Sequence, residues 1–283
     1  MIFGGDLEVK LKKLFLVGLV CAFLAPSSAF AEKGKWSFTP YAGAIATTSR
    51  DMVNSLSATT AGAATFSDGS QIDGKLTASV LGLDFNDTHS TPLLTGFDLG
   101  YFVNDDLEVF GGFQYVRAGG RSTKALDISA AGNFTDSAGT VTAIAATETA
   151  NAKFENYKSW ARKVGATKYF PMESFIPYVG GYAGFKHIDE MKFTLNFNTV
   201  NVSSGKINFY KATNSGFFGF HTGANKHLDV GGTPICIGGR ARLDYTPELT
   251  NDNSDLDLVG AGNTNNAGGG VDFGLTAQLS VPF

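Results

Sequence analysis

Charge is scarce in this chain, cysteine is nearly absent, and no apolar run is long enough to cross a membrane as a helix. Asp, Glu, Lys and Arg make up 17% of the 283 residues, below the roughly 25% usual for soluble domains. Its 22 basic and 26 acidic residues leave a net charge of −4. A general nucleic-acid binder needs a basic footprint, so that class is excluded. Two cysteines, Cys21 and Cys236, cannot supply the disulfide framework of a small secreted domain. No stretch reaches the roughly 18 continuous apolar residues of a membrane helix. What is abundant is glycine and phenylalanine. The 35 glycines are roughly 12% of the chain, against about 7% on average. An aromatic share of 12% argues against disorder.

The N-terminus has the layout of a secretory signal. Lys10, Lys12 and Lys13 precede an apolar run from Leu14 to Ala25, and the small-x-small triplet Ala29-Phe30-Ala31 follows. The run of about 12 residues is too short for about 30 Å of hydrocarbon. We therefore expect residues 1–31 to be a cleaved signal peptide and 32–283 to be one domain. Gly18-Leu19-Val20 ahead of Cys21 does not suit lipid attachment. The mature chain then keeps one cysteine, Cys236. An exported, glycine- and aromatic-rich chain without disulfides or membrane helices points to the closed membrane β-barrel. That fold satisfies every backbone polar group between strands.

Period-2 patterning supports this reading. Val271, Phe273, Leu275, Ala277, Leu279, Val281 and Phe283 alternate with Asp272, Gly274, Thr276, Gln278 and Ser280. Phe97 to Val103 and Leu107 to Tyr115 alternate likewise around Asn104-Asp105-Asp106, a turn-forming sequence. Weaker alternation marks strands near 35–47, 157–170, 175–186, 217–225 and 235–244. The facing of 157–170 is ambiguous, because Arg162 and Lys163 are adjacent and one must point outward unless a bulge intervenes. The connections alternate between long (48–91, 119–155, 188–213, 247–267) and short (104–106, 171–174, 228–233). Eight strands follow, with short periplasmic turns and long extracellular loops. Strand-like pieces inside the long connections, Lys75–Phe85, Thr140–Thr147, Phe193–Phe197 and Ile207–Tyr210, read as hairpin arms above the membrane. Placed in the membrane instead, they would give a barrel of 10 to 14 strands. Trp36, Tyr41, Tyr101, Tyr169, Phe170, Phe175 and Phe283 fall near strand ends and suggest an aromatic belt.

With the terminal Leu279-x-Val281-x-Phe283, the Gly100-Tyr101-Phe102-Val103 to Phe113 hairpin and the long/short alternation, the chain resembles the small outer-membrane barrels. That group contains the OmpA membrane domain, OmpX and OmpW. The resemblance implies an all-β, antiparallel, up-and-down transmembrane barrel in a Gram-negative outer membrane. Leu279, Val281 and Phe283 would then form the C-terminal assembly signal. Implied partners are outer-membrane lipid, lipopolysaccharide, the barrel-assembly machinery and periplasmic chaperones. Unlike full-length OmpA, the sequence stops at the last strand, which puts a cell-wall tether in doubt.

Eight strands enclose a space just wide enough for side chains. The inward candidates are Asp98, Glu108, His221, Arg240, Arg242, Asp244, Asp272 and Gln278. Such charges must be paired to be tolerated, so a polar plug is the first expectation and a narrow pathway for ions or small solutes the second. No catalytic, cofactor-binding or metal-binding residue is expected. His89-Ser90 has no hydrolase motif around it, and His187-x-Asp189-Glu190 reads as a solvated loop start. Cys236 reads as an inert, inward-facing small residue. The acidic last loop (Glu248, Asp252, Asp255, Asp257) reads as solvated surface. The expected function is therefore structural or in surface interaction through the long loops, without enzymatic activity. A porin-like channel is the alternative.

Overall fold

A computed structural model describes residues 32–49, 51–53, 55–198, 203–231, 233–247 and 270–283. The expected signal peptide and the acidic residues of the last connection lie outside these. The chain begins with β1 (Trp36–Ser49), β2 (Asp51–Val53), β3 (Leu56–Thr65), β4 (Gln71–Val80) and β5 (Leu83–Asp84). One helical turn, α1 (Phe85–Thr88), leads into β6 (Leu93–Asn104), β7 (Leu107–Ala118), β8 (Ser122–Thr135) and β9 (Val141–Phe154). Then come β10 (Tyr157–Tyr169), β11 (Ile176–Ile188), β12 (Met191–Phe197) and β13 (Ile207–Tyr210). The last strands are β14 (Thr213–Val230), β15 (Thr233–Thr246) and β16 (Gly270–Pro282).

Eight of these strands close an antiparallel barrel in the order β1-β16-β15-β14-β11-β10-β7-β6, with β6 returning to β1. The ring is sealed by the last strand, Phe38 opposite Val281 and Ala42 opposite Ala277. Beyond it, Phe283 and Trp36 exchange both backbone hydrogen bonds. The alternation in the sequence becomes the two faces of this wall. Phe185 (75% exposed), Val164 (68%) and Phe220 (62%) stand outside, in a band that also carries Phe97, Leu99, Val109, Leu243 and Leu275. Ser37, Thr39, Gln114, Ser159 and Thr276 are buried inside.

Arg162 and Lys163 resolve without a bulge. The ladder is regular, Arg162 opposite Phe113 and Lys163 opposite Gly112. Lys163 turns inward, while Arg162 lies outside with its guanidinium over the Trp160 ring. Two expected belt members change face for the same reason of parity. Tyr41 and Tyr169 point inward, Tyr41 donating to the Phe113 carbonyl (3.2 Å) and Tyr169 to Glu108 Oε2 (2.7 Å). The third short connection is also tighter than 228–233. Val230 pairs with Thr233 across the turn, and Gly231 takes φ +62°, which suits a two-residue hairpin turn.

The first three long connections do not form separate arms, nor do they widen the barrel. Six of their strands join one sheet in the order β13-β12-β9-β8-β4-β3. Only 119–121 separate β7 from β8, 155–156 separate β9 from β10, 189–190 separate β11 from β12, and 211–212 separate β13 from β14. Barrel neighbours β7, β10, β11 and β14 thus continue upward as sheet neighbours β8, β9, β12 and β13, one side of the wall grown taller. The 14 residues each of β8 and β9, at about 3.4 Å per residue, add about 48 Å. Within the segment 75–85, the strand ends at Val80, and β5 and α1 follow, crossing to the barrel mouth.

At that mouth the largest apolar cluster forms. Met52, Leu83 and Phe85 from the first connection meet Tyr41, Ile45, Leu94, Val116 and Tyr157 from the barrel. Ala150, Phe154, Phe193 and Leu195 from the sheet complete it. Burying a side chain such as Phe85 contributes roughly 1.5–3 kcal/mol. A smaller cluster of Phe102, Tyr169, Ile176, Tyr178 and Cys236 fills the short-turn end.

Ring closure depends on close backbone approach at Gly43. A Cβ there would collide with the carbonyl oxygen of Leu275 and the Cα of Thr276 on the sealing strand. Gly111 has open space around its Cβ position. Gly43→Val is therefore expected to abolish the heat-modifiable electrophoretic band of a closed barrel, and Gly111→Ala to leave it intact.

Candidate functional site

All eight residues singled out for the interior are buried within the barrel, and they form a layered network. Asp98 sits at its centre, with Lys163 Nζ 2.9 Å from one oxygen and Arg240 Nη1 2.7 Å from the other. Arg240 also lies over the Tyr41 ring at 5.2 Å. Toward the short-turn end, Glu108 accepts hydrogen bonds from Ser37 and Tyr169. Gln278 donates to Asn225 Oδ1 at 2.7 Å. His221 contacts Thr167 Oγ1 at 3.0 Å and stacks on Tyr182. Toward the other end, Asp244 pairs with Arg242 and accepts from Tyr182. Above them Asp272 faces Lys186 Nζ at 3.4 Å.

Lys163 and Lys186 belong to this network although the list of expected interior residues omitted them. Parity marked Lys186, which shares the inward register of Tyr178 and Tyr182; Lys163 shares that of Ala161 and Thr167, which the alternation alone did not distinguish from the register of Arg162. With them the buried charges among the described residues balance. Asp98, Glu108, Asp244 and Asp272 are matched by Lys163, Lys186, Arg240 and Arg242. A buried charge is tolerated when paired or hydrogen-bonded: Asp98 meets Lys163 and Arg240, Asp244 meets Arg242 and Asp272 meets Lys186, while Glu108 is held by the Ser37 and Tyr169 hydroxyls. Near the Lys186–Asp272 pair lies a cavity of about 10 Å³, lined also by Thr48, Ser159, Phe85 and Tyr157. That is about the space of one water molecule.

The other candidates are scattered. Leu279, Val281 and Phe283 lie along the sealing strand, with Leu279 and Phe283 exposed on the outer surface. Cys236 is free and buried, its Sγ 3.5 Å from His227 Nδ1. His187 contacts Asn214 Oδ1 at 2.8 Å and Asp189 at 3.6 Å. Among the described residues, no group of three His, Cys, Asp or Glu side chains is placed to hold a metal ion.

His89 occupies the mouth. It contacts Thr88 Oγ1 at 2.8 Å and the Glu155 carbonyl at 3.1 Å, stacks on Phe85, and adjoins Phe154 and Tyr157. The imidazole thus ties the first connection to the junction of β9 and β10. Burial drives its pKa down to about 4, against the Glu155 carbonyl bond, which raises it; the charge of Arg121 lowers it further.

No family model matches the chain, and no curated protein does. Among solved structures, it is similar to Neisserial surface protein A, with 12% identity and a TM-score of 0.34 over 89% of this chain and 98% of that one. It is also similar to Ail, the attachment invasion locus protein of Yersinia pestis, solved with the heparin analogue sucrose octasulfate (14%, TM-score 0.34, covering 89% and 99%). The outer membrane protease OmpT of Escherichia coli is a further neighbour (8%, TM-score 0.37, covering 90% and 100%).

Two outcomes follow from this geometry. Asp98→Asn leaves Lys163 and Arg240 without their shared counter-ion, and removing one partner of a buried pair costs about 3–5 kcal/mol. Urea unfolding in detergent micelles should show that loss, and a smaller one for Asp272→Asn beside the water-sized cavity. For His89, the unfolded chain binds a proton below pH about 6.5, which the folded chain refuses until about 4. Stability should therefore fall by up to about 3 kcal/mol as pH drops through that window. Melting temperature measured against pH checks this, and His89→Gln should remove that part of the dependence.

Proposed function

We propose that this protein is a non-enzymatic outer-membrane barrel of a Gram-negative envelope, sealed to solutes, whose work is done by the sheet it raises above the membrane. The observation that carries the reading is the pairing of a filled barrel with folded connections. The interior is occupied by the ion pairs of Asp98, Asp244 and Asp272 and by Glu108 on its two hydroxyl partners, and its loop end is stopped by Met52, Leu83 and Phe85. Transport leaves such an interior open. Surface presentation asks for a rigid base and a projecting element, which β8 and β9 supply.

The outer face supports the membrane location. An exposed band of Phe, Val and Leu encircling a monomeric soluble protein would drive aggregation. About 25 Å of apolar wall is what a membrane barrel presents to lipid. Trp36, Tyr101, Phe170, Phe175 and Phe283 lie at the short-turn end, where an aromatic girdle belongs. In this orientation the short turns face the periplasm, and Leu279, Val281 and Phe283 are offered to the assembly machinery there. The sheet faces the exterior. Its outer face carries hydroxyl ladders, Ser57 with Ser79 and Thr59 with Thr77, a surface suited to polar contacts. A narrow channel is the second reading. Arg240 Nε, Asn225 Nδ2 and Gln278 Oε1 lack partners in the interior, and waters threading past them would be its route.

Two measurements test the proposal. In planar bilayers the folded chain should be electrically silent; steady openings altered by Arg240→Ala would establish the channel instead. An Ala138→Cys variant, at the tip between β8 and β9, should react with a membrane-impermeant maleimide on intact cells. Labelling only after lysis would overturn the surface orientation.

A further inference from the structure

The segment that stops the barrel mouth is held on two sides, and one of the two holds through an ionisable ring. Leu83–Asp84, α1 and residues 89–92 cross the mouth between β4 and β6. On the β7–β8 side, Ser90 N donates to the Gly119 carbonyl and Arg121 N to the Thr88 carbonyl, both at 2.8 Å. Gly119 N donates to Ser90 Oγ at 2.9 Å, and Arg121 Nη1 to the Asn86 carbonyl at 3.1 Å. None of these groups titrates between about pH 4 and 7. On the β9–β10 side the connection is the His89 imidazole, whose Nε2 lies 3.1 Å from the Glu155 carbonyl.

That site is built for the neutral ring. A carbonyl oxygen only accepts, so Nε2 carries the ring proton and Nδ1 accepts from the Thr88 hydroxyl, 2.8 Å away. A second proton would make a cation inside an aromatic cage. The residue is 1% exposed, stacked on Phe85 and flanked by Phe154 and Tyr157, and an unpaired charge in such surroundings is costly. Burial opposes the proton first, and the charge of Arg121 on the β8 side opposes it further. The acids nearby are engaged elsewhere. Asp84 and Asp87 cap α1, Asp87 accepting from the Asp84 amide at 2.9 Å. Glu155 turns its carboxylate to Lys206 at 2.6 Å, and Lys192, whose carbonyl holds the Glu155 amide, pairs with Glu190 at 3.2 Å.

We propose that His89 is an acid-released latch, whose protonation frees the crossing segment 83–92 from the mouth while the barrel below stays closed. Once the segment lifts, water solvates the imidazolium, so the proton and the closed cover compete for one ring. The closed form holds the pKa at about 4, against 6.5 for the solvated ring. Opening is therefore flat above that window and grows as pH falls through it. Between about pH 7 and 4 the two values give a rise of about a hundredfold. A cover open about 1% of the time at neutral pH is then open about half the time at about pH 4. Release bares Leu83 and Phe85, which pack on the barrel rim and the raised sheet. It also opens the water-sized cavity beside Lys186 and Asp272, which Phe85 lines. The ring itself is closed by main-chain ladders, which do not titrate. The latch needs the fold and not the membrane location, so either can fail without the other.

Hydrogen–deuterium exchange of the purified folded chain in detergent micelles tests it, with each rate corrected for intrinsic exchange at that pH. The amides of His89 and Ser90 should open about a hundredfold more at about pH 4 than at about pH 7, the rise beginning near about pH 6.5. Amides of 217–225 on β14 should keep their protection throughout. His89→Gln keeps a donor for the Glu155 carbonyl but takes no charge, so its opening should be flat with pH. Asp87→Asn should keep the wild-type rise. A rise that begins only below about pH 4.5 belongs to the capping carboxylates, and one that persists in His89→Gln belongs to another group. Loss of β14 protection in step with His89 and Ser90 is global unfolding. Each of these results, or the absence of any rise, overturns the latch. The wild-type onset alone separates imidazole from carboxylate, so the test stands even where a variant fails to fold.

Discussion

Closing a sheet on itself at eight strands leaves an interior that only side chains can fill. Every inward residue then has neighbours on the opposite wall, and every inward charge must find a partner there. Asp98 on β6 meets Lys163 on β10 and Arg240 on β15, strands that are not adjacent in the ring. These contacts brace the barrel across its bore as the ladders brace it around its circumference. The aromatic rings of Tyr41 and Tyr182 lie against the same cations, so the bore is packed as well as neutralised.

The asymmetry of the connections has the same origin. A closed ring has no free strand edges, and tight hairpins such as the one at Gly231 end it cleanly on one side. On the other side the strands run on past the ring, and their extensions pair in the order the barrel imposes. The raised sheet keeps the barrel's sense of inside and outside. Near the mouth its inner face is apolar and packed on Phe85 and Met52; its outer face carries threonine, serine and asparagine. A single turn of helix and one buried imidazole, His89, join the crossing segment to both tiers.

Much of this was legible in the sequence because the signals were local. Alternation in 271–283 and in the 97–115 hairpin gave strand identity, facing and the turn between. All eight barrel strands lie where the pattern put them, and connection lengths separated the two ends. The failures also have local causes. An adjacent Arg162 and Lys163 cannot both obey one parity, and the alternation alone does not say which cation has a carboxylate waiting inside. Tyr41 and Tyr169 were read by closeness to a strand end, where parity decided instead. The tightness of the Gly231 turn had a local signal in Gly231-Gly232, a dipeptide of two-residue hairpins, which the wider 228–233 did not use.

The sequence by itself determined the period of two, hence a wall with a greasy face and a polar one, and the places where that wall turns back. Only the tertiary structure decided which charges meet, that the connection strands form one sheet, and that His89 ties the first connection to the junction of β9 and β10. The physical reason is range. A side chain's direction follows from backbone pleating at its own position, whereas its partner is chosen by ring closure between residues far apart in the chain, as Asp98 and Arg240 are.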